Sequence, residues 1–289
     1  MATVKLIFLG HPTIQKLNTP LQHALPDKVI ALLAYLALAR MAQRREHLAT
    51  LLWGNKPDTR ARNNLSIALN KVKKEFQLTG VTDQFLRVTR REVALVSSVS
   101  ALCDVIRFET LAAFPERQTL AQLEEAAGLY RGAFLQGFRP SDEVGCSQFL
   151  DWAQQQAARL EQMAIKLFTT LINRHQKQGN LANAIYYAER LLAIDPWQEN
   201  VYRQLMQLSA ENGQRDQAIA YYHACYKILQ AELEIEPDAE TKALFEAIRT
   251  NRLNGKITLL SRGADAADLY AQLPLRPYDN IIGRQSAMA

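Results

Sequence analysis

The sequence predicts a mainly α fold: a winged helix-turn-helix with a small β-sheet and hairpin, followed by a tetratricopeptide-like (TPR-like) α-helical repeat domain. Three observations predict it. Strand-like patterning is confined to the first third of the 289 residues, where it brackets three helical stretches. From Asp104 onward strand signals vanish and helical periods separated by short turns take over. Within that helical part, glycine and alanine recur at a fixed spacing.

In chain order, Val4-Lys5-Leu6-Ile7-Phe8-Leu9 alternates and then runs apolar before Gly10 and Pro12, which reads as a strand stopped by a turn. A second extended piece covers about Thr13 to Leu17. Asp27 to Arg40 places Val29, Leu32, Leu33 and Leu36 at helical spacing behind Pro26, a residue suited to helix entry. A shorter helix is expected from about Arg45 to Leu52, closed by Trp53-Gly54-Asn55-Lys56-Pro57, and a third from Asp58 or Thr59 to about Leu78. Phe85-Leu86-Arg87-Val88 and Val93-Ala94-Leu95-Val96 then flank the charged Thr89-Arg90-Arg91-Glu92, the form of a hairpin with a basic tip. Strand, three helices and hairpin in that order are the winged-helix plan.

Farther along, Gly179 and Gly213 are 34 residues apart, as are Ala184 and Ala218, which is the period of a tetratricopeptide repeat. Small residues let paired helices approach, and glycine makes the turn between them. The stretch from Leu123 to Phe138 reads as a degenerate further helix of the same array. After Arg252 the periodicity fades. The expected division is a winged-helix domain at 1–104, a TPR-like domain at 105–250 and a linker or tail at 251–289.

Charge is distributed unevenly along this division. Residues 1–104 hold 15 Lys and Arg against 7 Asp and Glu, a net of +8, whereas residues 105–250 hold 14 against 19, a net of −5. A basic module joined to an acidic one suggests that the first binds a polyanion and the second does something else. The opposite signs also raise the expectation that the acidic part docks on the basic face and restrains it. The longest apolar stretch, Val29 to Leu38, is far short of a bilayer span, and no basic segment feeds an apolar run at the start, so a cytoplasmic protein without membrane contact is expected. Cys103, Cys146 and Cys225 form no CxxC pair, and no Cys/His set has zinc spacing, so no metal site or disulfide framework is expected. His11, His23, His47, His175 and His223 lack nucleophiles in recognisable motifs, and no GxxxxGK[ST] phosphate loop occurs. No catalytic residue and no cofactor are assigned.

A winged helix reads DNA with its third helix in the major groove, while the hairpin tip approaches the backbone or minor groove. At 100° per residue, Leu65, Leu69, Val72 and Phe76 form the stripe that must face the core. The opposite side then presents Arg60, Asn63, Asn64, Ser66, Ile67, Asn70, Lys71 and Lys74, which are the candidate DNA-binding residues. Arg pairs with guanine and Asn with adenine, Lys supplies phosphate contact, and Ile67 suits a thymine methyl or a deoxyribose. In the hairpin, Arg87, Arg90 and Arg91 are candidates for phosphate or minor-groove contact. Arg44 and Arg45 precede the second helix, whose N-terminal amides suit a phosphate.

Several strings resemble the antibiotic-regulatory-protein (SARP) type of transcription activator. They are Leu6-Ile7-Phe8-Leu9-Gly10, Lys28 followed by Leu32-Leu33-Ala34-Tyr35-Leu36-Ala37, Arg45-Glu46-His47-Leu48-Ala49 with Leu51-Leu52-Trp53, and Ala61-Arg62-Asn63-Asn64-Leu65. Tyr130-Arg131-Gly132-Ala133-Phe134-Leu135, Phe149-Leu150-Asp151-Trp152 and Ala239-Glu240-Thr241 after Pro237 follow in the family's order. The resemblance runs from residue 4 to about residue 250. It implies an OmpR-like winged helix before a bacterial transcriptional activation domain of TPR-like helices, binding to repeated promoter sites as a dimer or side-by-side pair, and recruitment of RNA polymerase holoenzyme. Arg91-Glu92-Val93-Ala94 departs from the Gly-Tyr often found in the family's wing. Tyr278-Asp279-Asn280-Ile281-Ile282-Gly283-Arg284 resembles the lead-in to the nucleotide-binding domain of larger members. The alternative class is a TPR-type protein- or peptide-binding scaffold with a winged helix that does not bind DNA. Tyr186, Tyr187, Trp197, Tyr202, Tyr221 and Tyr222 would then line a ligand surface, where the simpler role is packing between helices.

Overall fold

The computed structural model describes residues 4–16, 25–77, 85–96 and 103–251. Among the described residues, those up to Pro237 pack as one compact unit, and those from Asp238 to Asn251 belong to a second. The chain is mainly helical. Strand β1 (Val4–Ile7) pairs antiparallel with β2 (Thr13–Lys16), with Val4 opposite Lys16 and Ile7 opposite Thr13. Helices α1 (Asp27–Ala39), α2 (Arg45–Trp53) and α3 (Asp58–Gln77) follow, then the hairpin of β4 (Leu86–Val88) and β5 (Glu92–Leu95).

The helical spacing read from the sequence produces the core. Leu32, Leu33 and Leu36 of α1, Leu48 and Leu52 of α2, and Leu65, Leu69 and Val72 of α3 are buried together with Phe85 and Val93 of the hairpin region. The side chain of Phe76 lies outside the described residues, as do Leu17 and Leu78. One element was not legible: β3 (Gln43–Arg44) adds a third strand to the hairpin sheet, with Arg44 opposite Glu92, in the order β3-β5-β4. Two residues carry no period, so no pattern announces such a strand.

Beyond the hairpin come α4 (Asp104–Ala112), α5 (Leu120–Leu129), α6 (Ser147–Lys177), α7 (Leu181–Leu192), α8 (Glu199–Glu211) and α9 (Arg215–Leu233). The 31 residues of α6 contain no glycine or proline, so nothing interrupts a helix of roughly 46 Å. The 34-residue repeat is visible bond by bond. Gly179 and Gly213 both take the left-handed conformation, with φ of 72° and 76°, that lets the chain turn from one helix into the next. The Asn180 amide then donates to the His175 carbonyl at 2.9 Å, and the Gln214 amide to the Ser209 carbonyl at 2.8 Å. Ala184 and Ala218 are fully buried at the matching close approach of helices.

The expected helix from Leu123 to Phe138 is corrected. Helix α5 stops at Leu129, and residues 130–138 run irregularly beside the end of β1. Gly132 and Gly137 break the helical run, and the backbone of Phe8 and Gly10 offers other partners. The Gly10 amide donates to Ala133, and the Leu135 and Gln136 amides donate to Phe8 and Gly10, at 2.8 to 3.0 Å. In the second unit, α10 (Ala239–Arg249) is capped by Asp238, whose carboxylate accepts from the Thr241 amide at 2.7 Å. The expected lead-in at residues 278–284 lies outside the described residues.

Candidate nucleic-acid interface

Helix α3 turns one side to the core and the other to solvent, as its amphipathic pattern requires. Arg60, Asn63, Ile67, Asn70, Lys71 and Lys74 are exposed, and Asn64 and Ser66 are half-buried at the edge of the same face. Ile67 is 48% exposed within this polar row, where an isoleucine gains nothing from water. Arg62, which the sequence reading did not select, is also exposed on α3 and pairs with Glu46 of α2 at 3.3 Å.

Two predicted residues are engaged with each other. The Ser66 hydroxyl donates to the Arg62 carbonyl at 2.9 Å and accepts from the Arg45 guanidinium at 2.8 Å. Arg45 also opens α2, and its amide donates to the Arg91 carbonyl in the hairpin tip at 2.9 Å. That tip is organised by Thr89, whose hydroxyl accepts from the amides of Glu92 and Arg91, at 2.9 and 3.3 Å. Arg87, Arg90 and Arg91 are exposed, and Arg87 shares a cleft of about 430 Å³ with Lys73 of α3. Arg44 is exposed on β3.

The helical array grips the winged helix on another side. Asp104, wholly buried at the start of α4, accepts from the amides of Phe8, Leu9 and Val105 and from Arg131, at 2.8 to 3.0 Å. Burial pushes its carboxyl pKa up, against the pull of the Phe8 and Leu9 amides and the Arg131 charge. Lys28 of α1 donates to the carbonyls of Leu52 and Asp142, joining the end of α2 to the segment before α6. Trp152 of α6 packs edge-on against Tyr35 of α1 and against Phe134, and the Tyr35 hydroxyl meets His47 Nε2 at 2.8 Å. Glu109 of α4 bridges Arg40 at the end of α1 and Arg159 of α6. Neither Lys28 nor Asp104 was selected from the sequence as a functional residue. A joint made by contacts across about a hundred residues leaves no local pattern to read.

The expectation that the acidic helices restrain the basic face is corrected for the described residues. Those contacts hold α4 and α6 against β1, α1 and α2, and the outer face of α3 stays open. Of the aromatic residues proposed for a ligand surface, Tyr187, Tyr202 and Tyr221 are buried between helices, while Tyr186 and Trp197 are exposed at 51% and 46%. The three cysteines are buried and none is in a disulfide, and burial raises the Cys103 thiol to about 12. Among the described residues no group of three His, Cys, Asp or Glu is placed to hold a metal ion, and no helix is long and apolar enough to cross a membrane.

Residues 103–249, just over half of the chain, match the family described as the bacterial transcriptional activator domain. The chain belongs to that family. The matched region of this activator-domain protein starts at Cys103, where the chain returns to the sheet by a parallel bridge to Leu6. It is 25% identical over 234 residues to the transcriptional regulatory protein MoaR1 of Mycobacterium tuberculosis, covering 80% of this chain and 73% of that protein. MoaR1 of Mycobacterium bovis matches with the same figures. A solved structure, titled Mycobacterium tuberculosis EmbR in complex with low affinity phosphopeptide, shares the fold with a TM-score of 0.59 at 21% identity. That match covers 87% of this chain and 66% of the EmbR chain. The protein is thus a SARP-type member of a family of transcriptional regulators, with a winged helix before TPR-like helices.

Proposed function

We propose that the protein is a sequence-specific double-stranded DNA-binding activator that recognises repeated promoter sites. The observation that carries this reading is the row of exposed Arg60, Asn63, Ile67, Asn70, Lys71 and Lys74 on α3. Three asparagines, Asn63, Asn64 and Asn70, sit inside a helix that their intrinsic preference does not favour. No core contact on the outer face requires them, whereas base edges do. In this reading Arg60, Asn63, Ile67, Asn70 and Lys71 enter the major groove, and Lys74, Arg90 and Arg91 hold the backbone. Arg87 of β4 contributes a further phosphate contact.

The helical array then serves as the partner-binding part, contacting RNA polymerase holoenzyme and a second copy on adjacent repeats. The protein works in the cytoplasm and has no enzymatic role. The rival reading, a peptide-binding scaffold, draws its support from the exposed Tyr186 and Trp197, but Tyr187, Tyr202 and Tyr221 are spent on packing.

Random-sequence DNA selection with the purified chain tests the proposal, followed by affinity measurements at several salt concentrations for the winning site and a scrambled one. A repeated motif with a steep salt slope is expected. Absence of both enrichment and salt-dependent binding would transfer the function to the scaffold reading.

A further inference from the structure

Arg45 stands where three parts of the winged helix meet. Its side chain reaches the half-buried Ser66 at the edge of the exposed face of α3, its amide is held by the Arg91 carbonyl at the hairpin tip, and its backbone begins α2. The neighbouring β3 residue, Arg44, is registered opposite Glu92 in the same tip. Ser66 faces the same side as Asn63, Ile67 and Asn70. Its proton is committed to the Arg62 carbonyl and one of its two lone pairs to Arg45, so the hydroxyl has no proton left to donate to a base.

We propose that Arg45 is a positioning residue: through Ser66 and the Arg91 carbonyl, it fixes the recognition helix relative to the wing so that both engage one DNA site in register. This inference rests on the reading of α3 as the base-reading helix. The physical basis is that base readout requires several side chains to meet their edges at once, and a rotation of the helix about its axis misplaces them together. A hydrogen bond from a guanidinium to a half-buried hydroxyl resists that rotation because it spans from α2 to α3. The parallel ion pair of Glu46 with Arg62 is exposed on both sides and supplies little rigidity. A basic residue at a helix start is otherwise expected to bind phosphate, and the two roles predict different behaviour.

The experiment compares Arg45→Met, Ser66→Ala and the double variant in the full chain. Each is measured against the selected site and a scrambled duplex over a range of salt, with thermal melting as a check on folding. If Arg45 acts through Ser66, each single variant lowers the ratio of specific to nonspecific affinity by about tenfold, and the double variant loses no more than either. The salt slope then stays where it is in the parent. If Arg45 holds a phosphate, Ser66→Ala is silent and Arg45→Met flattens the slope by about one unit for both duplexes, which overturns the proposal. Losses that add in the double variant overturn it as well, by making Ser66 an independent base contact. A fall in melting temperature with an unchanged specificity ratio reduces the bond to ordinary fold stability and also overturns it. If the parent chain selects no DNA site, the functional reading fails first, and that result is separable from the other three.

Discussion

The winged helix has two polar surfaces, and their polar groups are in opposite situations. Toward the helical array, Asp104 is sealed from water and accepts four hydrogen bonds, while Lys28 is nearly covered and donates to two carbonyls. On α3, Arg60, Asn63, Asn70, Lys71 and Lys74 project into solvent. Buried polar groups must be paired within the protein, so the first surface is explained by folding alone. The second has no such explanation, since an exposed helix face gains nothing from asparagine or isoleucine. The contrast separates residues that build the platform from residues that the platform presents.

The largest expected effect belongs to the joint. Asp104→Ala leaves the Phe8 and Leu9 amides without partners and Arg131 without its counter-charge. It should cost about 3 to 5 kcal/mol of stability, as removal of one member of a buried charged network does. Urea denaturation checks this, and a loss below about 1 kcal/mol, the range of surface pairs, would erase the distinction between the two surfaces.

On the presenting face, Asn63→Ala should leave the melting temperature in place and change the base preferred at one position of the site, by about 1 to 3 kcal/mol of discrimination. Repeating the DNA selection with the variant reads this directly. An unchanged motif, or a melting temperature that falls as it does for Asp104→Ala, moves Asn63 to the structural side.

The two surfaces were also unequally legible in sequence. The α3 face follows from a single helical period: once Leu65, Leu69 and Val72 are assigned to the core, the outward residues are determined, and the structure exposes or half-exposes each of them. Likewise Gly179 and Gly213 announce the helix turns because few other residues adopt their conformation readily. The joint could not be read this way. Asp104 looks like an ordinary first-turn helix acid, and its meaning lies in Phe8 and Leu9, which are 96 and 95 residues away. Residues 130–138 misled for the same reason, since the Leu135 and Gln136 amides find carbonyl partners at Phe8 and Gly10, just past β1 and far away in sequence. The Arg45–Ser66 bond lies between these cases: both residues were selected, but spacing along the chain does not reveal that they meet.

The array interior provides an intermediate case. Tyr221 is 8% exposed and its hydroxyl donates to Glu189 at 2.6 Å. Burial first, and then that bond, raises its pKa from 10.0 to about 12, so the fold favours the neutral phenol. The contribution of that group is therefore complete below pH 10 and is lost as pH rises through about 12. Tyr221→Phe should lower stability by about 1 kcal/mol at neutral pH, with the gap to the parent closing across that window. A gap that is constant from pH 8 to 12 would show that packing, rather than the hydrogen bond, accounts for the loss.

The smallest effect is also the one that tests the presenting face most sharply. Lys74, in the last turn of α3, is exposed and has no partner among the described residues, so Lys74→Ala should leave folding within about 0.5 kcal/mol of the parent. A lysine that contacts a phosphate neutralises one charge and releases about one counterion. Its removal should weaken the selected and scrambled duplexes by the same factor and flatten both salt slopes by about one unit. Binding isotherms over a salt series read both quantities together. If Lys74→Ala instead altered the preferred sequence, as expected for Asn63→Ala, the division between base-reading and backbone-holding residues along α3 would be wrong. If neither slope moved, the DNA would have to end before the last turn of the helix, and the contact surface would shrink toward Arg60, Asn63 and Ile67.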